Sequence, residues 1–125
     1  MQRYLLIAAG GAIGAMLRYF IGTLAAQRFG PRFPVGTFSI NVSACFLIGL
    51  ILEYLNHHTG VNPAWRYLFA IGFIGAYSTF STFEWEIWSD ITSGAFWMGM
   101  LYLVASLVVG LIAVALGSMT GRSLP

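Results

Sequence analysis

Four mostly apolar runs take up most of this chain and decide what it can fold into. They cover residues 4–26, 35–55, 65–88 and 96–119. Each is long enough to cross the hydrocarbon core of a bilayer as an α-helix, which takes about 20 residues. The joints carry turn chemistry: Gly30-Pro31 and Pro34, Gly60 with Asn62-Pro63, and Ser93-Gly94. Trp65, Trp88 and Trp97 stand at run ends, where aromatic anchors prefer the membrane–water interface. The expected fold is all-α, with one four-helix transmembrane domain over residues 1–125.

Charge supports this reading. Only 8% of residues are charged, against roughly 25% in a soluble domain. Such a chain cannot clothe a water-facing surface, which excludes a soluble enzyme, a nucleic-acid binder and a disordered tail. The lipid bilayer is its expected surroundings. All basic residues are arginine, and a net charge of +2 makes no basic patch. Cys45 is the single cysteine and closes no intrachain disulfide. No cleavable signal peptide is expected, because Arg18 interrupts the first run and no small-residue cleavage site follows.

The loop arginines are nearly balanced. Arg3, Arg66 and Arg122 fall on the side of the termini, and Arg28 and Arg32 on the other. Orientation follows the arginine and lysine bias of short loops. Two readings stand: insertion in both orientations, or a small bias that suffices. Four helices enclose little interior, so a transport pathway would call for a second copy.

Polar residues within the runs are functional candidates by cost alone. Gly10, Gly14, Arg18 and Gly22 share one helix face at four-residue spacing. Arg18 reads as a structural arginine that pins backbone carbonyls and adds positive potential. Thr37, Asn41, Cys45, Gly49 and Glu53 repeat the same spacing in the second run. The Asn41 amide either offers N–H groups to an anion or serves as interhelical glue. Tyr102, Ser106 and Gly110 do likewise in the fourth. His57-His58 reads as a solvated loop tip with no metal-site spacing.

The third run is the most unusual. It reads Gly72-Phe73-Ile74-Gly75-Ala76-Tyr77-Ser78-Thr79-Phe80-Ser81-Thr82-Phe83. Gly, Ser and Thr are weak helix formers whose side chains compete for backbone hydrogen bonds. A regular helix through residues 75–79 is therefore doubtful. A break at membrane depth survives only when buried in protein or lining a cavity, where free carbonyls suit a hard cation such as Na⁺. Phe80 and Phe83 are either core aromatics or rings whose positive edges face a dehydrated anion, with the Ser81 and Thr82 hydroxyls alongside.

Three motifs in order, Gly-Gly-x-x-Gly-Ala-x-x-Arg-Tyr at 10–19, Pro-x-Gly-Thr-x-x-x-Asn at 34–41, and Gly-Phe-x-Gly at 72–75 followed by Ser-Thr-Phe-Ser-Thr-Phe at 78–83, resemble the Fluc (CrcB) family of fluoride channels. The resemblance implies a passive channel exporting cytoplasmic fluoride across the inner membrane. It implies an antiparallel, dual-topology homodimer with two pores and a third helix broken mid-membrane. A central structural sodium ion would take the backbone carbonyls of Gly75 and Ser78. The fluoride pathway would pass Phe80, Phe83, Asn41, Ser81, Thr82, Tyr102, Ser106 and Thr37, with Glu86 in the vestibule and Arg18 structural. Departures are Ser78 for the usual Thr, Ala76 and Ala44 for glycines, Gly110 for a pore serine, and Glu84 as an extra acid.

Rival classes fit less well. A small dual-topology proton-coupled multidrug transporter needs a membrane-buried carboxylate, and no acid precedes Glu53. A membrane enzyme such as a lipid kinase needs clustered acids and bases, while the acids here are scattered at run ends. A subunit that works only with a paralogous partner remains the third alternative.

Overall fold

The computed structural model describes residues 1–30, 32–58 and 60–125. Pro31, in the first expected turn, lies outside them. Helix α1 runs Gln2–Phe29 and α2 runs Val35–His57. A helical segment of wide, π-type turns follows at Arg66–Ile74 and passes into one α-helical turn, α3, at Gly75–Tyr77. Helix α4 covers Phe80–Thr92 and α5 covers Phe96–Ser123. No strand occurs among the described residues.

The ends follow from local chemistry. Gly30 closes α1 at φ 72°, a conformation open to glycine, and its N–H reaches Ala26 O. Gly94, at φ 89°, turns the chain from α4 into α5. Pro34 precedes α2 where a missing N–H costs nothing, and its carbonyl accepts from Phe38 N.

Small residues set the packing. In lipid, helices gain nothing from hiding apolar surface from one another, so they associate where backbones approach closely. Helix α2 lies along α5, and a Cβ at Gly49 or Gly117 would overlap the carbonyl oxygens of Val114 or Phe46. Helix α1 lies against the Arg66–Ile74 segment, and a Cβ at Gly10 or Gly14 would overlap those of Leu68 or Phe73. Two buried clusters result. Ile40 and Ala44 of α2 meet Ile74 and Tyr77, while Phe83 and Ile87 of α4 meet Tyr102 of α5.

The outer surface is apolar. Tyr4, Met16 and Phe20 of α1 and Trp97, Leu111 and Met119 of α5 are all exposed, as are Trp65, Trp85 and Trp88. Three helices, α1, α2 and α5, are long and apolar enough to cross a membrane.

Three details differ from the sequence expectation. Wide turns occupy Arg66–Ile74, ahead of the stretch where irregularity is expected. Helix persists through Tyr77, and the backbone becomes extended only at Ser78 (ψ 160°) and Thr79 (φ −149°). His57 is no loop tip: it is the last residue of α2, bonded to Glu53 at 2.8 Å, while the His58 ring stacks on Tyr54.

Candidate functional site

The extended pair Ser78-Thr79 organises the polar residues. Leaving the helix strands backbone groups, and in an apolar setting each stranded group costs several kcal/mol. Asn41 of α2 relieves two of them at once. Its Nδ2 donates to Thr79 O at 3.1 Å, and its Oδ1 accepts from Thr79 N at 2.9 Å. The amide thus grips one residue as a neighbouring strand would. Thr79 in turn caps α4: its Oγ1 accepts from Thr82 N at 3.3 Å and donates to Thr82 Oγ1 at 2.9 Å.

The break takes the helical donors from the carbonyls of residues 75–78. The ordinary helical partner of Gly75 O is Thr79 N, which Asn41 takes. That of Ser78 O is Thr82 N, which the Thr79 hydroxyl takes. Neither carbonyl accepts another hydrogen bond among the described residues. Carbonyl oxygens such as these are the donor type a hard cation selects.

The aromatic residues divide. Phe83 is 5% exposed, and its ring meets that of Tyr102 edge-on at 5.0 Å; Phe80 is 73% exposed on the outer surface. Their centroids lie 6.1 Å apart. Asn41, Gly75, Ser78, Phe80, Phe83 and Ser106 all line one open groove of about 450 Å³. Ser106 Oγ is buried there without a hydrogen-bond partner among the described residues.

A second recess of about 460 Å³ opens beside Thr37, Thr82 and Glu86. Thr37 Oγ1 donates to Glu86 Oε1 at 2.7 Å, and Tyr102 OH donates to Oε2 at 2.9 Å. Both oxygens of the carboxylate are held, one from α2 and one from α5. Arg18 lines an adjoining recess with Thr23, Thr37, Thr79 and Thr82, and makes no hydrogen bond or ion pair among the described residues. The pinning of carbonyls expected of Arg18 is not made among the described residues.

One expected site residue, Ser81, stands apart, as does Gly110, the departure from a pore serine. Ser81 faces outward, one step along α4 from the groove. Gly110 meets only Cys45 Sγ. Thr79, the residue that organises the site, is missing from the sequence expectation, although its place three residues before Thr82 is a helix-capping spacing. Ser43 and Tyr77, whose hydroxyls meet at 2.9 Å, are missing too.

An apolar-faced helical chain with its polar side chains gathered along an internal seam is a multi-pass membrane protein of the solute-conducting kind. The family described as CrcB-like protein, Camphor Resistance (CrcB), matches residues 5–118, and the chain belongs to it. It is 49% identical to a fluoride-specific ion channel FluC of Acidobacterium capsulatum over 97% of each chain. Proteins of the same name from Solibacter usitatus and Chloroflexus aurantiacus are 43% and 45% identical, each over at least 97% of both chains.

Proposed function

We propose that this chain is a passive, fluoride-selective channel of the cell's inner membrane that acts as an antiparallel homodimer with two pathways. The 66–77 and 80–92 segments together make the third of four crossings, broken at Ser78-Thr79. The relatives carry the names of channels, and the reading is accordingly non-enzymatic.

The observation that carries the reading is a set of unspent donors along the Phe83 groove and the recess beside Thr82. Asn41 uses one amide N–H on Thr79 and keeps the other. Thr82 accepts from Thr79 and keeps its own O–H. Ser106 keeps its hydroxyl proton while buried. A small anion stripped of water needs a few such donors, and an aromatic edge adds a weak positive field. The Thr37 and Tyr102 hydroxyl protons are already given to the Glu86 carboxylate, so these two add no free donor. Phe80 lines the open side of the same groove with most of its ring exposed, which fits a dimer in which a second copy closes the groove.

The Gly75 and Ser78 carbonyls fit a sodium ion by donor type. Bound there, the ion would supply positive charge beside the break. Two oxygens from one chain leave a hard cation under-coordinated, and an antiparallel second copy would double them.

Efflux from liposomes tests the function. Vesicles carrying the purified protein are loaded with KF or KCl and triggered with valinomycin without a proton gradient. Fluoride release without chloride release is expected. Release of neither anion from folded, dimeric protein overturns the reading in favour of a partner-dependent subunit or a proton-coupled carrier.

A further inference from the structure

We infer that the Ser43–Tyr77 hydroxyl pair is a positioning element for the cation site proposed above, and the inference rests on that site. Tyr77 is 4% exposed and packs among Ile40, Ala44 and Ile74. A phenol in such surroundings needs a partner for its O–H. Its oxygen lies 2.9 Å from Ser43 Oγ, and Ser43 Oγ lies 3.0 Å from Ile40 O. Serine has one hydroxyl proton, and a carbonyl can only accept. The Ser43 proton therefore goes to Ile40 O, and Tyr77 is the donor to Ser43. The chain of bonds runs one way, from phenol to serine to the α2 backbone.

Position gives this chain of bonds its role. Tyr77 lies between Gly75 and Ser78, the two residues whose carbonyls are proposed to hold the cation. Ile40, Asn41 and Ser43 belong to one stretch of α2. That stretch grips the last helical residue through Ser43 and the following extended residue through Asn41. Packing alone keeps a side chain buried but leaves it free to slide along the helix. A phenolic bond in a low-dielectric interior fixes its height. The separation of the Gly75 and Ser78 oxygens is set by this two-point grip, upstream at Tyr77 and downstream at Thr79.

The test uses the full chain in detergent and in liposomes, with the variants Ser43→Ala, Tyr77→Phe, Ser43→Thr and the Ser43→Ala/Tyr77→Phe double. Thermal melting is followed in NaCl and in KCl of equal ionic strength, with fluoride efflux alongside. Wild-type protein melts higher in sodium, because a ligand bound only to the folded state stabilises it. Ser43→Ala and Tyr77→Phe each raise the sodium concentration giving half that effect by about tenfold or more. Ser43→Thr keeps the hydroxyl and the wild-type sodium response. Ser43→Ala also lowers melting in potassium, because it strands the phenol O–H. The double variant recovers the potassium melting point but not the sodium response.

A double variant that recovered both would reduce the pair to packing and overturn the inference. Wild-type sodium responses in both single variants would also overturn it, while leaving the cation site intact. A wild-type protein with no sodium-specific rise would overturn the cation site and this inference together.

Discussion

Two phenylalanines three residues apart have different surroundings, so they answer substitution differently. Phe83 is buried against Tyr102, and Phe83→Ala opens a cavity worth about 3–5 kcal/mol. The expected outcome is a clear fall in melting temperature together with lost fluoride efflux. Phe80 lies on the surface of the single chain, so Phe80→Ile should leave the subunit's secondary structure and melting nearly unchanged while reducing efflux. Normal efflux in Phe80→Ile would remove that ring from the pathway. Asn41 has the largest role of any single side chain. Asn41→Ala strands the N–H and C=O of Thr79, each at about 1–3 kcal/mol, and efflux should fall by at least about tenfold. Asn41→Asp keeps the acceptor but loses the donor, so it should fail as well; wild-type efflux from it would show that the grip on Thr79 O is dispensable. Much of this site was legible residue by residue, since Asn41, Thr37 and Glu86 stand out as polar groups in apolar runs. Thr79 was not, because a threonine within a Ser-Thr-Phe repeat looks like its neighbours until the helix is seen to restart after it.

At the scale of helices, the glycines decide. A Cβ at Gly117 or Gly14 overlaps backbone oxygen on the facing element, which cannot swing aside as a side chain can. Gly117→Ala and Gly14→Ala should therefore fail to give stable, monodisperse protein. Gly22→Ala, with nothing within 4 Å of the added carbon, should behave as wild type on the same column. A stable Gly117→Ala would mean that α2 and α5 can separate without loss. Three long helices were readable from their apolar length, within a few residues at each end. The four-residue glycine stripe on α1 pointed to close packing, although only Gly10 and Gly14 touch the Arg66–Ile74 segment and Gly22 does not. The wide turns of that segment were not readable. They coincide with a close approach of α1 at Gly72, whose own Cβ would meet Ile7 O at 2.7 Å. No propensity in the local sequence reports that tertiary constraint.

For the whole molecule, the question is how one chain completes a site that it half contains. Arg18 has no partner among the described residues, Phe80 is largely exposed, and the proposed cation site calls for more oxygens than Gly75 and Ser78 of one chain supply. All three incomplete features lie on or beside the broken segment, so one contact with a second copy would answer them together. The arginine count, Arg3, Arg66 and Arg122 against Arg28 and Arg32, supplies the means. So small a bias is compatible with insertion in both orientations, which the proposed antiparallel dimer requires. Two lysines added beside Arg28 should commit every copy to one orientation and abolish fluoride efflux. Two added beside Arg122 should do the same in the opposite sense. Neither variant touches the groove, so each should remain helical. Co-expressing the two should restore efflux, because each then supplies the orientation the other lacks. Full activity from either biased chain alone would show that parallel copies suffice, and antiparallel assembly would be wrong.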